Sequence, residues 1–563
     1  MEFLGADIVI KGLQEEGVEV VFGYPGGAVL PLYDALYRAN FPHILARHEQ
    51  GAVHAADGYA RATGKVGVCI ATSGPGATNL ITGIATAYMD SVPLVAITGQ
   101  VSVSLIGKDS FQEADVRGIT TPITKHNYLV KKIQDLPRVL KEAFYIARSG
   151  RPGPVVIDIS KDVFNNTIEY EYPKEVKLRG YSPIFAGEQA AIDLVVDKMK
   201  QAKKPLLFVG GGVNISDTSA LLREIVATTG IPVISSLMGM GCIADNDMQY
   251  LGMVGMHGTY AGNMATTECD LLLGIGVRFD DRVTGLVKDF APNAQVVHFD
   301  IDPAEINKNI LADIRVVGDL RWSLPILYEK LKASSSEDWR KQIALWTKTV
   351  QDWKQDNPLC YSENQEVIMP QSVIETVSEL TKGDAIIVTD VGQHQMWAAQ
   401  YYKFMNQRSF LTSGGLGTMG YGLPAAIGAQ LGLPEKTVIL FTGDGSIMMN
   451  CQEMATAANN SIPIKIVVMN NQVLGMVNQW QRMFYEERYS HTSLKGHTDF
   501  VKLAEAMGIK GLRVTKQSEL KATLAEALTI KGPVLVDVWL PDGEDVLPMV
   551  PANCRLDQMV LGG

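Results

Sequence analysis

The chain has 563 residues, too many for a single hydrophobic core, and its length predicts about three domains. Hydrophobic residues make up 46% of the chain and charged residues 20%, a balance that excludes a disordered protein. The net charge of −11, without any Lys/Arg cluster, argues against a surface for nucleic acid or anionic membrane. A small-molecule substrate fits this composition better.

The cysteines and the amino-terminal sequence indicate a compartment. Six cysteines are scattered without a C-x-x-C spacing, so neither a disulfide framework nor a zinc site is predicted. The first residues enter a folded pattern directly, without signal-peptide or transit-peptide composition, and no apolar run is long enough to span a bilayer. We expect a cytoplasmic protein that is neither exported nor embedded in a membrane.

Short runs rich in Val and Ile recur along the chain and predict parallel strands buried on both faces, with helices between them. In chain order the runs are 66–71, 94–98, 155–159, 205–209, 271–275, 296–299, 385–389, 438–442 and 464–469. Most end in Gly, Asp or Asn, which predicts functional loops at the carboxyl ends of the strands. Two polar stretches, 165–182 and 333–366, are predicted linkers.

The predicted fold class is α/β, with mainly parallel sheets flanked by helices. The linkers divide the chain into domains at about 1–170, 185–340 and 365–545, followed by an irregular tail at 546–563.

A weak internal repeat relates the first and third domains. A shift of 370 positions places IATAYMDSVPLVAI (84–97) on MATAANNSIPIKIV (454–467). Convergence of two Ala-rich helices would explain that match alone, but the same register holds from about residue 55 to residue 93. We therefore predict a duplicated fold. Gly74 stands where the third domain has Asp444, so only one copy is expected to bind a metal.

A glycine-flanked carboxylate follows one predicted strand of the third domain, and a pair of asparagines follows the next. Asp444 comes after strand 438–442, and Asn471 comes after strand 464–469, with a predicted crossover helix at 451–459. A right-handed crossover brings the carboxyl ends of both strands to one edge of the sheet. One carboxylate and one amide oxygen suit Mg²⁺, which shares its octahedron with water and substrate phosphates.

Small residues at the same turn predict a phosphate site. Gly443, Gly445 and Ser446 allow backbone N–H groups to approach phosphate oxygens ahead of a helix. Gly-Asp-Gly by itself would indicate only a tight turn, and Asn-Asn only the end of a strand. The joint pattern is more specific and predicts a diphosphate bridged by Mg²⁺.

These residues resemble the thiamine diphosphate (ThDP) signature, in which GDG is followed after a fixed interval by NN. The resemblance implies Mg²⁺ ligands at Asp444, Asn471 and the backbone carbonyl of Val473. It also implies a second diphosphate-binding loop at 390–394, where a strand ends in DVGQH. The ThDP-binding residues that it implies are Gly392, Gln393, His394, Gly417, Met419, Gly443, Asp444, Gly445, Ser446, Asn471 and Met476.

A carboxylate from another domain is needed to activate ThDP, because the cofactor's aminopyrimidine removes the C2 proton once a carboxylate hydrogen-bonds its ring nitrogen. Glu49, in ARHEQGAVHAADGYARATG (46–64), resembles the activating glutamate of ThDP enzymes. Alone it would indicate a helix cap or a solvated charge. The shift of 370 places Glu49 opposite Met419, which by resemblance supports the bent cofactor. The superfamily pairs domains of different subunits, which implies a homodimer or homotetramer.

Motifs along nearly the whole chain resemble the catalytic large subunits of the acetohydroxyacid synthase (acetolactate synthase) family. They are VFGYPGGAVLPLYDAL, TSGPGATN, FQEADVRGIT, MVGMHG, VRFDDRVTG, HFDIDPAEI, GQHQMW and GMVNQWQRMFY. The family condenses pyruvate with pyruvate or 2-ketobutyrate, releases CO₂, and supplies branched-chain amino-acid biosynthesis, with a separate small regulatory subunit. The alternatives are a pyruvate oxidase, a catabolic acetolactate synthase without FAD, and an inactive ThDP-binding scaffold.

The family resemblance also assigns residues to the reacting centre. Gly27, Ala28, Phe111 and Gln112 line the reacting face, so the implied catalytic set is Gly27, Glu49, Gln112 and Met419. The wall that favours 2-ketobutyrate as acceptor is implied at Met476, Val477, Trp480 and Phe484. Ordinary core packing is the alternative for Trp480. Ser102 and Ser110 stand where many relatives carry Pro or Ala, which leaves channel shape and inhibitor sensitivity open.

The middle domain has glycine-rich strand ends and terminal acids, which suit a pyrophosphate and a ribose, but it lacks a G-x-G-x-x-G fingerprint. A degenerate domain that binds nothing is the alternative. The R-F-D-D-R run resembles the FAD-containing branch of the family and implies a structural FAD. The implied contacts are Arg151, Gly210, Gly211, Gly212, Met256, His257, Gly258, Thr259, Gly276, Arg278, Asp280, Arg282, Asp300, Asp302 and Asp319.

Overall fold

The structure is a computed structural model and describes residues 2–334, 337–362, 364–496 and 498–561. Three units each contain a six-stranded sheet in which neighbouring strands are parallel. All nine predicted strands are present and begin and end within two residues of the expected positions. The predicted α/β class is confirmed.

The first unit also has a two-stranded antiparallel ribbon, formed by its first and last strands. Its strands are β1 (Glu2–Leu4), β2 (Val21–Gly23), β3 (His43–Leu45), β4 (Gly67–Ala71), β5 (Leu94–Gln100), β6 (His126–Val130), β7 (Pro154–Ser160) and β8 (Thr167–Glu169). Its helices are α1 (Gly5–Glu15), α2 (Leu30–Arg38), α3 (Glu49–Thr63), α4 (Pro75–Thr78), α5 (Ile81–Met89), α6 (Val116–Thr120), α7 (Leu136–Arg148) and α8 (Lys161–Asn165).

The middle unit follows after residue 188. Its strands are β9 (Pro205–Val209), β10 (Val233–Ser235), β11 (Tyr250–Met253), β12 (Leu271–Ile275), β13 (Gln295–Asp300) and β14 (Ile314–Val317). Its helices are α9 (Gln189–Gln201), α10 (Gly211–Ile215), α11 (Ser219–Thr229), α12 (Tyr260–Glu268), α13 (Asp281–Thr284), α14 (Leu320–Ser334) and α15 (Glu337–Asp356).

The third unit contains the two strands that carry the predicted metal ligands. Its strands are β15 (Ile386–Thr389), β16 (Phe410–Leu411), β17 (Val438–Gly443), β18 (Lys465–Asn470), β19 (Lys510–Val514) and β20 (Val534–Trp539). Its helices are α16 (Pro370–Thr381), α17 (Gln393–Tyr401), α18 (Gly422–Gly432), α19 (Asp444–Ile447), α20 (Glu453–Asn459), α21 (Gly475–Phe484), α22 (Phe500–Ala506) and α23 (Gln517–Thr529).

The strand orders confirm the predicted duplication. The first sheet runs β3-β2-β4-β5-β7-β6, and the third runs β16-β15-β17-β18-β20-β19. Numbered from the first strand of each sheet, the two orders are identical. The middle sheet has a different order, β11-β10-β9-β12-β13-β14, so it is not a third copy of the same topology.

Helices α3 and α18, which are equivalent in the two copies, pack directly against each other. A Cβ added at Gly58 would lie 2.1 Å from the carbonyl oxygen of Ala425, and one added at Gly428 would lie 1.8 Å from that of Ala55. The two contacts are related by the shift of 370, so the helices meet about a local twofold axis. Only glycine permits backbones to approach this closely.

Replacement of Gly428 by alanine is expected to lower the free energy of unfolding by about 1–3 kcal/mol, because the added methyl group overlaps a backbone carbonyl in a packed interface. Gly532→Ala is the matched control, since a Cβ there meets nothing within 4 Å. Thermal unfolding of both variants measures the effect. Equal melting temperatures would contradict this account of the helix contact.

The prediction of a linker at 333–366 is wrong, because this stretch contains the 20-residue helix α15. Only one face of α15 is apolar, which keeps its mean hydropathy low and conceals its role. Trp339, Ile343, Trp346 and Val350 lie on that face and are buried in the cores of the middle unit. The middle unit therefore extends beyond the predicted boundary at 340.

The segment after β20 is irregular, as predicted, and it crosses from the third unit to the middle one. Val550 and Leu556 are buried in the core of the middle unit, and the N–H of Leu286 donates to the carbonyl of Cys554. In the described ranges, no helix is long and apolar enough to cross a membrane.

Candidate active site

The predicted metal ligands lie at the carboxyl edge of the third sheet. β17 and β18 are adjacent and parallel, with Gly443 paired to Met469. Asp444 and Asn471 follow these strands at the same edge, and only 6% and 7% of their surfaces are exposed. The Asn471 amide donates to Oε1 of Gln393 at 3.2 Å, and its Oδ1 accepts the N–H of Val473 at 3.4 Å.

The Asp444 carboxylate has an environment that suits a cation. Burial raises its pKa to about 6, while backbone N–H groups of Gly445 and Gln472 act in the opposite direction. Within the part of the chain that the structure describes, no group of three or more His, Cys, Asp or Glu side chains could hold a metal. A cation here would take its remaining ligands from water and a bound ligand, as Mg²⁺ commonly does.

His394 supplies an unused hydrogen-bonding atom beside this edge. Its ring is buried, its Nε2 has no partner among the described residues, and burial lowers its pKa to about 3, so the imidazole is neutral. A Cβ added at Gly392 would lie 2.9 Å from the ring, and one at Gly443 3.1 Å from Nδ1, so the ring packs against both glycines. A buried polar atom left without a partner at this edge fits a bound diphosphate.

Gln393 and Ser446, both predicted to bind ThDP, make contacts within the protein. The Gln393 amide donates to Oε1 of Gln479 at 3.0 Å and to the carbonyl of Glu544 at 2.8 Å. Together with its contact to Asn471, these hydrogen bonds let Gln393 fix the turn that carries the predicted metal ligand Asn471. The Ser446 hydroxyl donates to the carbonyl of Val391 at 3.3 Å.

A cavity of about 1170 Å³ lies between residues of all three units. Its lining includes the predicted ThDP and substrate residues Gly392, Gly417, Met419, Met476, Val477 and Trp480. In the part of the chain that the structure describes, the buried Nε1 of Trp480 has no hydrogen-bond partner, and the Arg282 guanidinium lies 5.9 Å from the indole ring centre. Phe484, at the end of α21, is 47% exposed and lies outside the lining of the cavity.

Eleven of the fifteen residues predicted to contact FAD line the same cavity. They are Arg151, Gly211, Gly212, Met256, His257, Gly276, Arg278, Asp280, Arg282, Asp300 and Asp319. The other four lie outside the lining and make contacts within the protein. Gly210 packs against the backbone of Gly276, and Gly258 packs in a tight turn. Thr259 caps α12, and Asp302 pairs with Arg151.

The predicted catalytic residues of the first unit form a separate cluster around Thr72–Gly76. Glu49 begins α3, and its Oε2 accepts a hydrogen bond from Asn79 at 3.0 Å. A Cβ at Gly76 would lie 3.3 Å from Oε1 of Glu49, and one at Gly74 would lie 2.9 Å from Gln112. The N–H of Ala28 donates to the hydroxyl of Thr72, which packs against Gly26.

The loop that carries Gln112 is exposed. Phe111 is 89% exposed, and Gln112 has a positive φ of 60°. The Ser110 hydroxyl donates to the carbonyl of Leu105 within the same loop. All of the residues Gly27, Glu49, Phe111 and Gln112 are described, and none of them lines the large cavity. One chain therefore carries two predicted half-sites that do not share a cavity.

Sequence reasoning missed an amide and carboxylate pair that occurs in both copies. Gln100 Nε2 donates to Asp158 at 3.0 Å, and Asn470 Nδ2 donates to Asp537 at 2.9 Å. Gln100 and Asn470 are related by the shift of 370, which could have revealed them. Asp158 is paired in register with Thr98, and Asp537 with Val468, the equivalent position. Each pair lies at the start of a loop that carries predicted site residues.

Three family models match the chain, one on each unit. The models describe the N-terminal TPP binding domain (residues 4–119), the central domain (192–327) and the C-terminal TPP binding domain (390–538) of thiamine pyrophosphate enzymes. Thiamine pyrophosphate is the same compound as ThDP, and the matches confirm the predicted ThDP-binding fold.

Relatives match over nearly the full length. The chain is 49% identical to acetolactate synthase isozyme 3 large subunit of Escherichia coli, covering 100% of this chain and 99% of the relative. It is 49% identical to the acetolactate synthase large subunit of Haemophilus influenzae, covering 99% of this chain and 98% of the relative. The chain belongs to the acetolactate synthase large-subunit family. The E. coli isozyme 2 large subunit, another family member, is 48% identical over 99% of each chain.

Membership of the acetolactate synthase large-subunit family confirms the predicted family and its dependence on ThDP. The alternative, a pyruvate oxidase, receives no support from these comparisons. The acetolactate synthase large subunits align with this chain from end to end, so all three units belong to the shared architecture.

Proposed function

We propose that this chain decarboxylates pyruvate, releases CO₂ and joins the remaining two-carbon unit to a second 2-ketoacid. The product is 2-acetolactate with pyruvate as acceptor and 2-aceto-2-hydroxybutyrate with 2-ketobutyrate, both intermediates of branched-chain amino-acid biosynthesis. The observation that carries the proposal is the buried edge formed by Asp444, Asn471 and His394, whose Nε2 has no partner in the described ranges, beside a cavity walled by Met419 and Trp480. Family membership supports the same reaction.

Asp444, Asn471 and the carbonyl of Val473 would hold Mg²⁺, and His394 with Gly392 and Gly443 would hold the diphosphate. When bound, ThDP supplies the nucleophilic carbon and the electron sink for decarboxylation. Glu49 would hydrogen-bond the cofactor's ring nitrogen and favour the tautomer that accepts the C2 proton. Gly27 and Gln112 would line the reacting face. Met419 would support the bent cofactor.

FAD would occupy the part of the cavity between the first and middle units. The placement is supported by the lining, which includes eleven of the fifteen residues predicted to contact FAD. Arg151, Arg278 and Asp319 provide charged lining for a dinucleotide. The net reaction transfers no electrons to an acceptor, so FAD would have a structural role here.

A homodimer or homotetramer would complete the site. In one chain the Glu49 cluster lies apart from the cavity that Met419 and Trp480 line. Pairing the first unit of one copy with the third unit of another would join the two half-sites. The relatives are named large subunits, which supports a small regulatory partner as well. All six cysteines are free, which supports a cytoplasmic location.

The deciding experiment incubates the purified chain with pyruvate, ThDP, Mg²⁺ and FAD, and measures acetolactate, acetaldehyde and peroxide. We expect one acetolactate and one CO₂ for every two pyruvates, with little acetaldehyde and no peroxide. Peroxide without acetolactate would instead support an oxidase. The flavin absorbance of the purified protein, before any addition, tests the FAD assignment independently.

Trp480→Leu is expected to reduce the preference for 2-ketobutyrate over pyruvate by about tenfold, because the larger acceptor loses a contact surface for its extra methylene. The indole lines the cavity and its Nε1 has no partner, so its removal leaves no protein hydrogen bond broken. Competition between the two acceptors measures the product ratio. An unchanged ratio together with a lowered melting temperature would indicate core packing instead.

A further inference from the structure

Glu453 connects the metal-binding crossover of the third unit to the first unit. It begins α20, between the strands that precede Asp444 and Asn471. Its Oε1 accepts the backbone N–H groups of Arg47 and His48, each at 3.0 Å, and Oε2 lies 3.2 Å from the N–H of Arg47. These donors belong to the turn immediately before Glu49, more than 400 positions away in the chain.

The Glu453 carboxylate is tightly enclosed. Only 1% of the residue is exposed, and the hydroxyl of Thr456 donates to Oε2 at 2.7 Å. A Cβ added at Gly51 would lie 2.2 Å from Oε1, so the first turn of α3 packs directly on this carboxylate. A buried carboxylate that accepts several N–H groups fixes the backbone that donates them.

We propose that Glu453 is a positioning residue, which holds the turn before α3 so that Glu49 meets the cofactor's ring nitrogen. The inference rests on the proposed function, because it assigns Glu49 its activating role. Hydrogen bonds on both sides of Glu49 connect Glu453 to its position. Arg47 and His48 are fixed by Glu453, the His48 ring accepts the N–H of Gln50 at 3.0 Å, and Glu49 lies between these two anchors.

The other copy contains a reciprocal contact. Asp90 directly follows α5, the helix equivalent to α20, and accepts the N–H groups of Gly414 and Gly415 at 3.0 and 2.8 Å. Those residues lead to Met419, the position equivalent to Glu49. Glu453 and Asp90 lie at opposite ends of the equivalent helices, at positions that the shift of 370 does not relate. In both copies, however, a carboxylate beside the crossover helix accepts backbone N–H groups that precede the residue predicted to face the cofactor, which indicates a role in alignment rather than one isolated packing contact.

The first test measures the turn itself, in protein without cofactor. Amide hydrogen exchange followed by mass spectrometry reports protection of the peptide that contains Arg47 and His48. We expect Glu453→Ala to accelerate exchange there at least tenfold, whereas Glu453→Gln, which retains Oε1 as an acceptor, remains close to the wild type. Unchanged protection in Glu453→Ala would overturn the proposal. Glu519→Ala, at the exposed first turn of α23, is the matched control.

The second test measures the consequence for the proposed reaction. A misplaced catalytic group can cost about 100-fold in rate, and we expect Glu453→Ala to lower kcat by about 10–100-fold with little change in KM for pyruvate. In a Glu49→Gln background the same substitution should cause no further loss, because it acts only through Glu49. An additional independent loss would indicate a merely structural role and would overturn the proposal.

A third variant keeps the proposal testable if Glu453→Ala does not fold. Glu453→Asp retains the charge but withdraws the carboxylate by one methylene group, and should also lower kcat and expose the Arg47 and His48 amides. Normal kcat in this variant would count against positioning. Failure of the proposed function is distinguishable, since wild-type protein would then form no acetolactate while the exchange experiment still reports on the turn.

Discussion

Asp444→Ala is expected to abolish acetolactate formation by preventing retention of Mg²⁺ and, with it, the cofactor diphosphate. The carboxylate is the charged member of the proposed ligand set, and it lies buried with Asn471 at one sheet edge. Mutations of groups that merely orient ligands cost about 10–100-fold in metal affinity, so loss of a ligand should cost more than about 100-fold. Titration of Mg²⁺ and ThDP by calorimetry measures this loss.

Two controls make the Asp444 result specific. Asp444→Asn retains an oxygen ligand without the charge, and should bind Mg²⁺ weakly and recover part of the activity at high metal concentration. Glu435→Ala changes an exposed residue shortly before β17 begins, at the end of the strand away from Asp444. This variant should behave as the wild type. Tight ThDP and Mg²⁺ binding by Asp444→Ala would refute the assigned metal site.

Glu49→Gln is expected to lower the rate of acetolactate formation by about 10²–10⁴-fold, the usual contribution of a positioned acid or base. The amide cannot stabilise the protonated ring nitrogen of the cofactor. The diphosphate residues lie in another half-site, so affinity for ThDP should be nearly unchanged. The exchange of the cofactor's C2 proton with deuterium, followed by NMR after acid quench, measures the affected step directly.

The fold must survive for the Glu49 result to be interpreted. Among the described residues, Glu49 accepts one side-chain hydrogen bond that an amide could disrupt, from Asn79, so the melting temperature should change little. Asp34→Asn, on the exposed face of α2, provides a control for loss of a carboxylate in the same unit. Normal C2 exchange in Glu49→Gln would refute the activating role, even if turnover fell for another reason.

The most local patterns predicted the structure best. The runs at 205–209 and 271–275 are strands with the expected bounds, because an apolar Val/Ile-rich run between turn residues has few other uses. The same reasoning failed at α15, where Trp339 and Ile343 are spaced along one face of an otherwise polar helix. The many polar residues of α15 concealed the helical periodicity of its few apolar ones.

Within the candidate site, contacts set by one crossover unit could be predicted, whereas contacts between distant side chains could not. Asp444 and Asn471 could be brought together from the sequence because the βαβ crossover rule fixes where both strands end. The assignment of Gln393 to the cofactor stays a prediction, but the hydrogen bond that its Oε1 accepts from Asn471 depends on a side-chain rotamer and could not be predicted. Glu453 lies in the predicted crossover helix at 451–459, but nothing near it in the sequence indicates Arg47 as its partner.

The α/β class, the duplication and the family could be predicted from the amino-acid sequence, because they depend on local composition, on spacing within one crossover unit and on motifs along the chain; the assigned site residues stay a prediction. Only the tertiary structure decided how the copies face each other. The Gly58 and Gly428 contacts, the hydrogen bonds of Glu453 and Asp90, and the separation of Glu49 from the large cavity all join distant segments. Such contacts depend on the packing of whole units, which no local pattern encodes.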